Sequence, residues 1–268
     1  MTNLYSPNVL KGKTIFVAGG SSGINLGIAE QYGQFGAKLA ILSRSQDKID
    51  KAVKLLESQG STAIGIATDV RDYDGVKAAF QKTHEAYGDI HCVISGAAGN
   101  FLSPALGLSS KGFQTVVDID LVGTFNVFRA SYDYLAKPGA SLIAISARQA
   151  VYPRPYQIHA CAAKAGVNML CKCLALEWGQ AGVRVNAISP GPIEDTEGYS
   201  RLVPTQDLVE KMKKSIPLRA IGTKTDVASI ATFLASDASK YVTGGIYNVD
   251  GGNELGDASA DFLTPMKR

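Results

Sequence analysis

The sequence has no membrane-spanning run: nowhere in its 268 residues do ~18 consecutive apolar residues occur, the length a bilayer helix needs. It has little charge of either sign. Charged residues make up 19% and the formal net charge is +3, so the dense basic field that binds nucleic acid is missing. Neither a nucleic-acid nor a membrane partner is expected. Cysteine is scarce as well. Cys92, Cys161, Cys171 and Cys173 form no Cys-x-x-Cys pair and no metal spacing with His84, His91 or His159, which argues against a disulfide scaffold and predicts no metal site. Residues Met1–Lys13 lack an apolar leader, and Pro265-Met266-Lys267-Arg268 is not a Ser-Lys-Leu-type address. A cytoplasmic protein with reduced thiols is expected. Repeats, low-complexity tracts and long linkers are also missing, so 1–268 reads as one domain, long enough to bury a large core.

What the chain does have is alternation. Short apolar, β-branched runs lie at Thr14–Ala18, Lys38–Ser43, Thr62–Thr68, Cys92–Ser95, Ser141–Ser146, Arg184–Ser189 and Ile246–Val249. Helical patterns separate them at Gly23–Phe35, Gln46–Gln59, Asp72–Tyr87, Lys111–Leu135, Ile158–Gly179 and Thr225–Ser236. Strands apolar along their whole length, joined by helices, predict a parallel sheet covered on both faces. Right-handed crossovers then give an α/β, doubly wound Rossmann fold with seven strands. The stretch 190–217 follows a strand end without strand pattern of its own, where such folds place a substrate lid.

After the first strand comes Ala18-Gly19-Gly20-Ser21-Ser22-Gly23-Ile24-Asn25-Leu26-Gly27. Glycine lets a backbone turn tightly and approach a pyrophosphate, and the helix that follows offers unpaired N–H groups and a positive dipole end. Strand before and helix after make this a dinucleotide-binding turn. The second strand ends Leu42-Ser43-Arg44. An NAD site places a carboxylate there for the ribose 2′-hydroxyl, whereas a hydroxyl and a guanidinium suit the 2′-phosphate of NADP.

The Gly-x-x-x-Gly-x turn resembles that of the short-chain dehydrogenase/reductase family. The resemblance implies adenine contacts from Asp69 and Val70, and cofactor contacts from Gly19, Ser21, Ser22, Gly23, Ile24, Arg44, Ala97, Pro190, Gly191 and Ile193. Asn25 stands where the family has a third Gly and Ala18 where it has Thr. Asn tolerates left-handed φ, so the turn is expected to survive. The family's Tyr-x-x-x-Lys pair is broken: Lys164 is present, but Ala160 holds the Tyr position, Ala147 the Ser position and Asp120 the Asn position. In that pair the ammonium, one turn from the phenol, lowers its pKa. Ordinary carbonyl reduction therefore lacks its acid. Either the protein is a nucleotide-binding sensor without catalysis, or it reduces something else with another proton source.

At these positions the chain resembles the peroxisomal type of 2,4-dienoyl-CoA reductase, which also lacks the Tyr. The matching stretches are Ala97-Ala98-Gly99-Asn100-Phe101, Asp118-Ile119-Asp120, His159-Ala160 leading to Lys164, and Thr196-Glu197-Gly198 with Arg201. The resemblance implies NADPH-dependent reduction of a dienoyl thioester to a 3-enoyl-CoA. Lys164 would hold the nicotinamide ribose, and Asp120 would order a proton-bearing water or donate the proton itself. Arg71, Phe101 and Arg201 would lie near an acyl-CoA substrate, and a homotetramer is the expected assembly. Ser146 and Tyr156 are candidates for contact with substrate. Tyr152 and Tyr156 compete as replacement donors in a carbonyl or enone reductase of the same fold. Gln149 can orient substrate or water but not supply a proton. His159 reads as structural. The apolar residues Val167, Met169, Leu170 and Leu174 exceed one core-facing stripe and suggest a subunit contact.

Overall fold

A computed structural model describes residues 5–202 and 205–260, with only the backbone of Arg201 and Leu202. In chain order the elements are β1 (Thr14–Ala18), α1 (Gly23–Gln34), β2 (Lys38–Ser43), α2 (Gln46–Ser58), β3 (Thr62–Ala67), α3 (Tyr73–Tyr87) and β4 (Ile90–Ser95). There follow α4 (Ser110–Val117), a π turn (Asp118–Val122), α5 (Gly123–Ser131), β5 (Ser141–Ile145), α6 (Ile158–Trp178) and β6 (Arg184–Pro190). The last are α7 (Glu197–Leu202), α8 (Gln206–Ser215), α9 (Lys224–Ala235) and β7 (Ile246–Val249). The strands fall within two residues of their expected bounds. The helix expected over Lys111–Leu135 is instead two α-helices joined by the π turn, and α7 and α8 occupy the stretch read as a lid.

The seven strands form one parallel sheet in the order β3-β2-β1-β4-β5-β6-β7. Alternate side chains leave opposite faces of a strand, and β1 shows the consequence. Phe16 and Ala18 enter the core shared with Val76 and Phe80 of α3, Phe128 of α5 and Val167 of α6. Ile15 and Val17 enter the core shared with Ile28 and Tyr32 of α1, Leu56 of α2 and Val227 and Leu234 of α9. Both faces being covered explains why every residue of β1 and β5 is buried. Val167 and Leu174 are core residues, while Met169 and Leu176 of the same helix face outward.

The strand order reverses between β1 and β4, whose first connections run to opposite edges of the sheet. Connections leaving a sheet in opposite directions open a crevice at the carboxyl ends of those strands, the usual ligand position in such sheets. Two contacts fix helices on the two faces of the sheet, α1 to α9 on one and α3 to β1 on the other. The Tyr32 hydroxyl donates to the Ala231 carbonyl at 2.7 Å, and Phe16 stacks on Phe80 with ring centroids 4.0 Å apart. Both rings of the stack are fully buried. Phe80→Ala is expected to cost about 3–5 kcal/mol through lost transfer energy and the cavity left behind, read as a lower urea midpoint with an unchanged slope.

Candidate active site

A cavity of about 900 Å³ opens at the carboxyl ends of β1, β4, β5 and β6. Its floor is the glycine turn. Gly19 has φ +78, and a Cβ there would come within 2.7 Å of the Ala97 amide nitrogen, so only glycine lets β1 and β4 approach. Gly23 has φ +60, and a Cβ there would meet no protein atom within 4 Å. It lines the cavity, so the space a side chain would fill is left to a ligand. Ser22 precedes α1 without capping it, and no acidic residue lies in the first turn. The helix thus presents its unpaired N–H groups and positive end to an anion. A pyrophosphate suits this cradle.

Asn25 keeps the turn by a route other than the one expected. It lies inside α1, and the described non-glycine residues with positive φ are Tyr156, Asp195 and Arg219. Its side chain acts instead: Nδ2 donates to the Gly96 carbonyl at 2.8 Å and the Gly19 carbonyl at 3.3 Å. A Cβ at Gly96 would fall 2.1 Å from Asn25 Oδ1. The two positions fit each other, and the carboxamide ties the turn to the end of β4.

At the far end of the cavity, the Ser21 hydroxyl donates to Ser43 Oγ at 2.8 Å. Arg44 is mostly exposed, and its guanidinium lies 4.0 Å from Asp69. Arg71 is placed differently from expectation. Its Nε and NH2 groups donate to the two Asp69 oxygens at 3.0 and 2.7 Å, and it does not line the cavity. That hydrogen-bonded pair holds the Asp69 carboxyl below the usual carboxylate range, against the opposing effect of burial. The Asn126 amide donates to the Val70 carbonyl at 2.9 Å and fixes this loop against α5.

The other end is built by the π turn. One extra residue per turn changes the helical bonding locally, and the Asp120 carbonyl accepts from the Thr124 hydroxyl at 2.7 Å. Thr124 is itself reached by the Ser95 hydroxyl at 3.1 Å. The Asp120 side chain is 1% exposed. Its Oδ1 accepts the Gly99 N–H at 2.7 Å, and its Oδ2 lies 3.3 Å from Lys164 Nζ. Lys164, also buried, donates to the Ile145 carbonyl at 2.9 Å. The two charges therefore meet inside the cavity wall, each with a backbone partner. Ala147 and Ala160 line the same wall and leave it without the family's hydroxyls.

Asp120, Lys164, Ser146 and all the residues named from sequence as cofactor contacts line this one cavity. Three others do not. Phe101 meets His159 edge-on with centroids 4.5 Å apart, and Tyr152 and Tyr156 are exposed. Arg71 is the fourth residue off the wall, and the Arg201 side chain lies outside the described residues. Ser146 lines the wall, but its hydroxyl donates to Asn168 Oδ1 at 2.6 Å, so its proton is committed to α6. His159 is fully buried, with neither ring nitrogen hydrogen-bonded. Cys92 and Cys171 are buried thiols pushed up to about 12, whereas Cys173 is exposed.

Sequence reasoning missed Arg148, Arg154 and Gln157, which share the wall with Asn100 and Gln149. The signal for Gln157 was spacing: with Ala160 and Lys164 it falls at i, i+3 and i+7, one face of the helix start. The two arginines flank a loop that has no periodicity to read. Arg148 also donates to Asn253 Oδ1 at 3.0 Å.

The Asn25–Gly96 fit is testable by a double mutant. Gly96→Ala alone is expected to lower the melting temperature by several degrees and weaken dinucleotide binding, and Asn25→Gly in the same chain restores most of the loss. Additive melting shifts contradict the fit.

Comparison with known proteins agrees with this geometry. The family model described as enoyl-(acyl carrier protein) reductase matches residues 18–254. A protein of Arabidopsis thaliana named peroxisomal 2,4-dienoyl-CoA reductase, (3E)-enoyl-CoA-producing, is 42% identical, over 94% of this chain and 88% of its own. A Danio rerio protein of the same name is 43% identical, over 96% and 87%. A short-chain dehydrogenase structure from Bacillus anthracis superposes with a TM-score of 0.82 at 34% identity, over 92% of this chain and 98% of that one. A citronellol catabolism dehydrogenase from Pseudomonas aeruginosa gives 0.82 at 31%, over 95% and 100%. The fold is thus a shared feature, and the chain belongs to the short-chain dehydrogenase/reductase family.

Proposed function

We propose that this protein is an oxidoreductase that reduces 2,4-dienoyl-CoA thioesters to 3-enoyl-CoA with NADPH. One observation carries the reading: a buried Asp120–Lys164 pair lines a wall where Ala160 holds the phenol's position and Ala147 the serine's. A ketone needs a proton on oxygen, and with Ala147 and Ala160 beside Lys164 the family's Ser and Tyr hydroxyls are not there to give it. A conjugated thioester accepts a hydride at its δ carbon, moves charge to its carbonyl oxygen as an extended enolate, and takes its proton on the α carbon. That proton can come from water.

When bound, the reduced nicotinamide supplies the hydride. Gly19, Ser21, Ser22, Gly23 and Ile24 receive the pyrophosphate in this reading. Arg44 with Ser43 takes the 2′-phosphate, and Asp69 and Val70 border the adenine. Ala97, Pro190, Gly191 and Ile193 flank the rest of the dinucleotide. Lys164 holds the nicotinamide ribose and adds positive field where negative charge grows. Asp120, paired with Lys164, acts as an acceptor and orders a water whose proton goes to the α carbon. The acyl-CoA meets Arg148 and Arg154 at the cavity wall, in place of the Arg71 and Phe101 contacts expected from sequence. The tyrosine-based carbonyl reductase draws no support from Tyr152 and Tyr156, which lie off the wall.

The reading includes a single domain, a lid over 190–217 and a homotetramer. The exposed Val122 and Phe125 on one helix and Met169 and Leu176 on another support a subunit contact. No described helix is long and apolar enough to cross a membrane. The compartment in this reading is the cytoplasm, although the two relatives named above are peroxisomal.

Loss of NADPH absorbance with 2,4-hexadienoyl-CoA tests the proposal, with a ketone panel and NADH as controls. Turnover confined to ketones, or dinucleotide binding without any turnover, contradicts it. Asp120→Ala is expected to lower kcat by about 100-fold or more. Arg44→Ala is expected to raise the KM for NADPH by about 10- to 100-fold, the worth of a charge-assisted contact, and to leave that for NADH nearly unchanged.

A further inference from the structure

Three carboxamides meet on the cavity wall. Gln157 Oε1 accepts an N–H from Asn100 at 2.9 Å and another from Gln149 at 3.0 Å. Two donors on one oxygen fix which way the Gln157 amide faces. The side chain belongs to a buried residue, yet its Nε2 is not among the buried polar atoms left without a partner. Among the described residues no acceptor takes that –NH2 either, so it is open to the cavity that Gln157 lines. Gln157 precedes α6 without capping it, so its side chain is not spent on the helix end. Its position, three residues before Ala160 and seven before Lys164, places the amide on the face of the helix that carries the missing phenol's position and the ammonium.

We propose that Gln157 is a catalytic residue whose Nε2 group donates a hydrogen bond to the thioester carbonyl oxygen as that oxygen gains charge. The assignment rests on the dienoyl-CoA reading. An amide nitrogen cannot give up its proton at neutral pH, so the contact stabilises an enolate oxygen without protonating it. This directs the proton to the α carbon. Asn100 and Gln149 act as positioning residues: they clamp the acceptor end of Gln157 and leave only its donor end for the substrate. A preset donor of this kind needs no reorganisation as charge develops.

Gln157→Glu is the informative variant. It keeps an oxygen for the Asn100 and Gln149 N–H groups and has nearly the same volume, but replaces the pocket-facing donor with a negative oxygen. It is expected to lower kcat by about 100-fold or more, the usual loss for one oxyanion donor, with the Kd for NADPH by fluorescence titration unchanged. Gln157→Leu serves as the uncharged counterpart and is expected to show the same loss. A readout apart from turnover is the carbonyl stretch of ¹³C-labelled 2,4-hexadienoyl-CoA in the dead-end complex with NADP⁺. It is expected to fall on binding to the wild-type enzyme and to stay at the free-ligand frequency with Gln157→Glu. Wild-type turnover of the dienoyl-CoA together with a Gln157→Glu kcat within threefold, or an equal carbonyl shift in the two proteins, overturns the Gln157 assignment alone. Absence of wild-type turnover overturns the functional reading and this assignment with it.

Discussion

The site depends on one buried ion pair. Asp120 and Lys164 lie on different helices, in a wall with almost no access to solvent, 3.3 Å apart. Removing two charges from water is costly, and the pair is tolerable only because each charge keeps a backbone partner, the Gly99 N–H for the carboxylate and the Ile145 carbonyl for the ammonium. Taking away either side chain strands the other charge, at a cost of about 3–5 kcal/mol. The pair therefore ties the segment between β4 and α4 to α6 and keeps an ammonium on the cavity wall.

The rest of the architecture serves to bring those two residues together. The strand order reverses between β1 and β4 and opens the crevice. Asp120 lies buried in the π turn, and the Ser95–Thr124 hydroxyl chain ends on its carbonyl. The glycine floor admits a dinucleotide from one side, and Asn25 locks that floor to β4. Beside Lys164 the family's hydroxyls are missing, because Ala147 and Ala160 have none, and the Ser146 hydroxyl is committed to Asn168.

Much of the fold was legible, because near-continuous apolar strands and 3.6-residue periodicity report directly on burial. Asp69, Lys164 and Asp120 were placed by resemblance to the family's motifs, whereas the glycine turn and Arg44 could be placed from position, since they follow strand ends. The π turn could not, because one extra residue inside an apolar helix leaves the hydrophobic pattern nearly unchanged. Asn25 was read for its backbone tolerance when its side chain does the work, a long-range contact that spans 71 positions to Gly96. Arg71 was expected near an acyl-CoA substrate, but Asp69 lies two residues away and its carboxylate accepts from the Arg71 guanidinium. Phe101 and Tyr156 sit on loops whose direction depends on packing, and spacing does not encode that.

The central claim is that this pocket delivers hydride and proton to the two ends of a conjugated thioester, with water as the proton source. Positional labelling tests it most directly. Reduction of 2,4-hexadienoyl-CoA with deuterated NADPH in ordinary water should place deuterium on the δ carbon. The same reaction with unlabelled NADPH in heavy water should place it on the α carbon of a 3-enoyl product. Deuterium from the cofactor on the β carbon or on a carbonyl carbon would contradict the account.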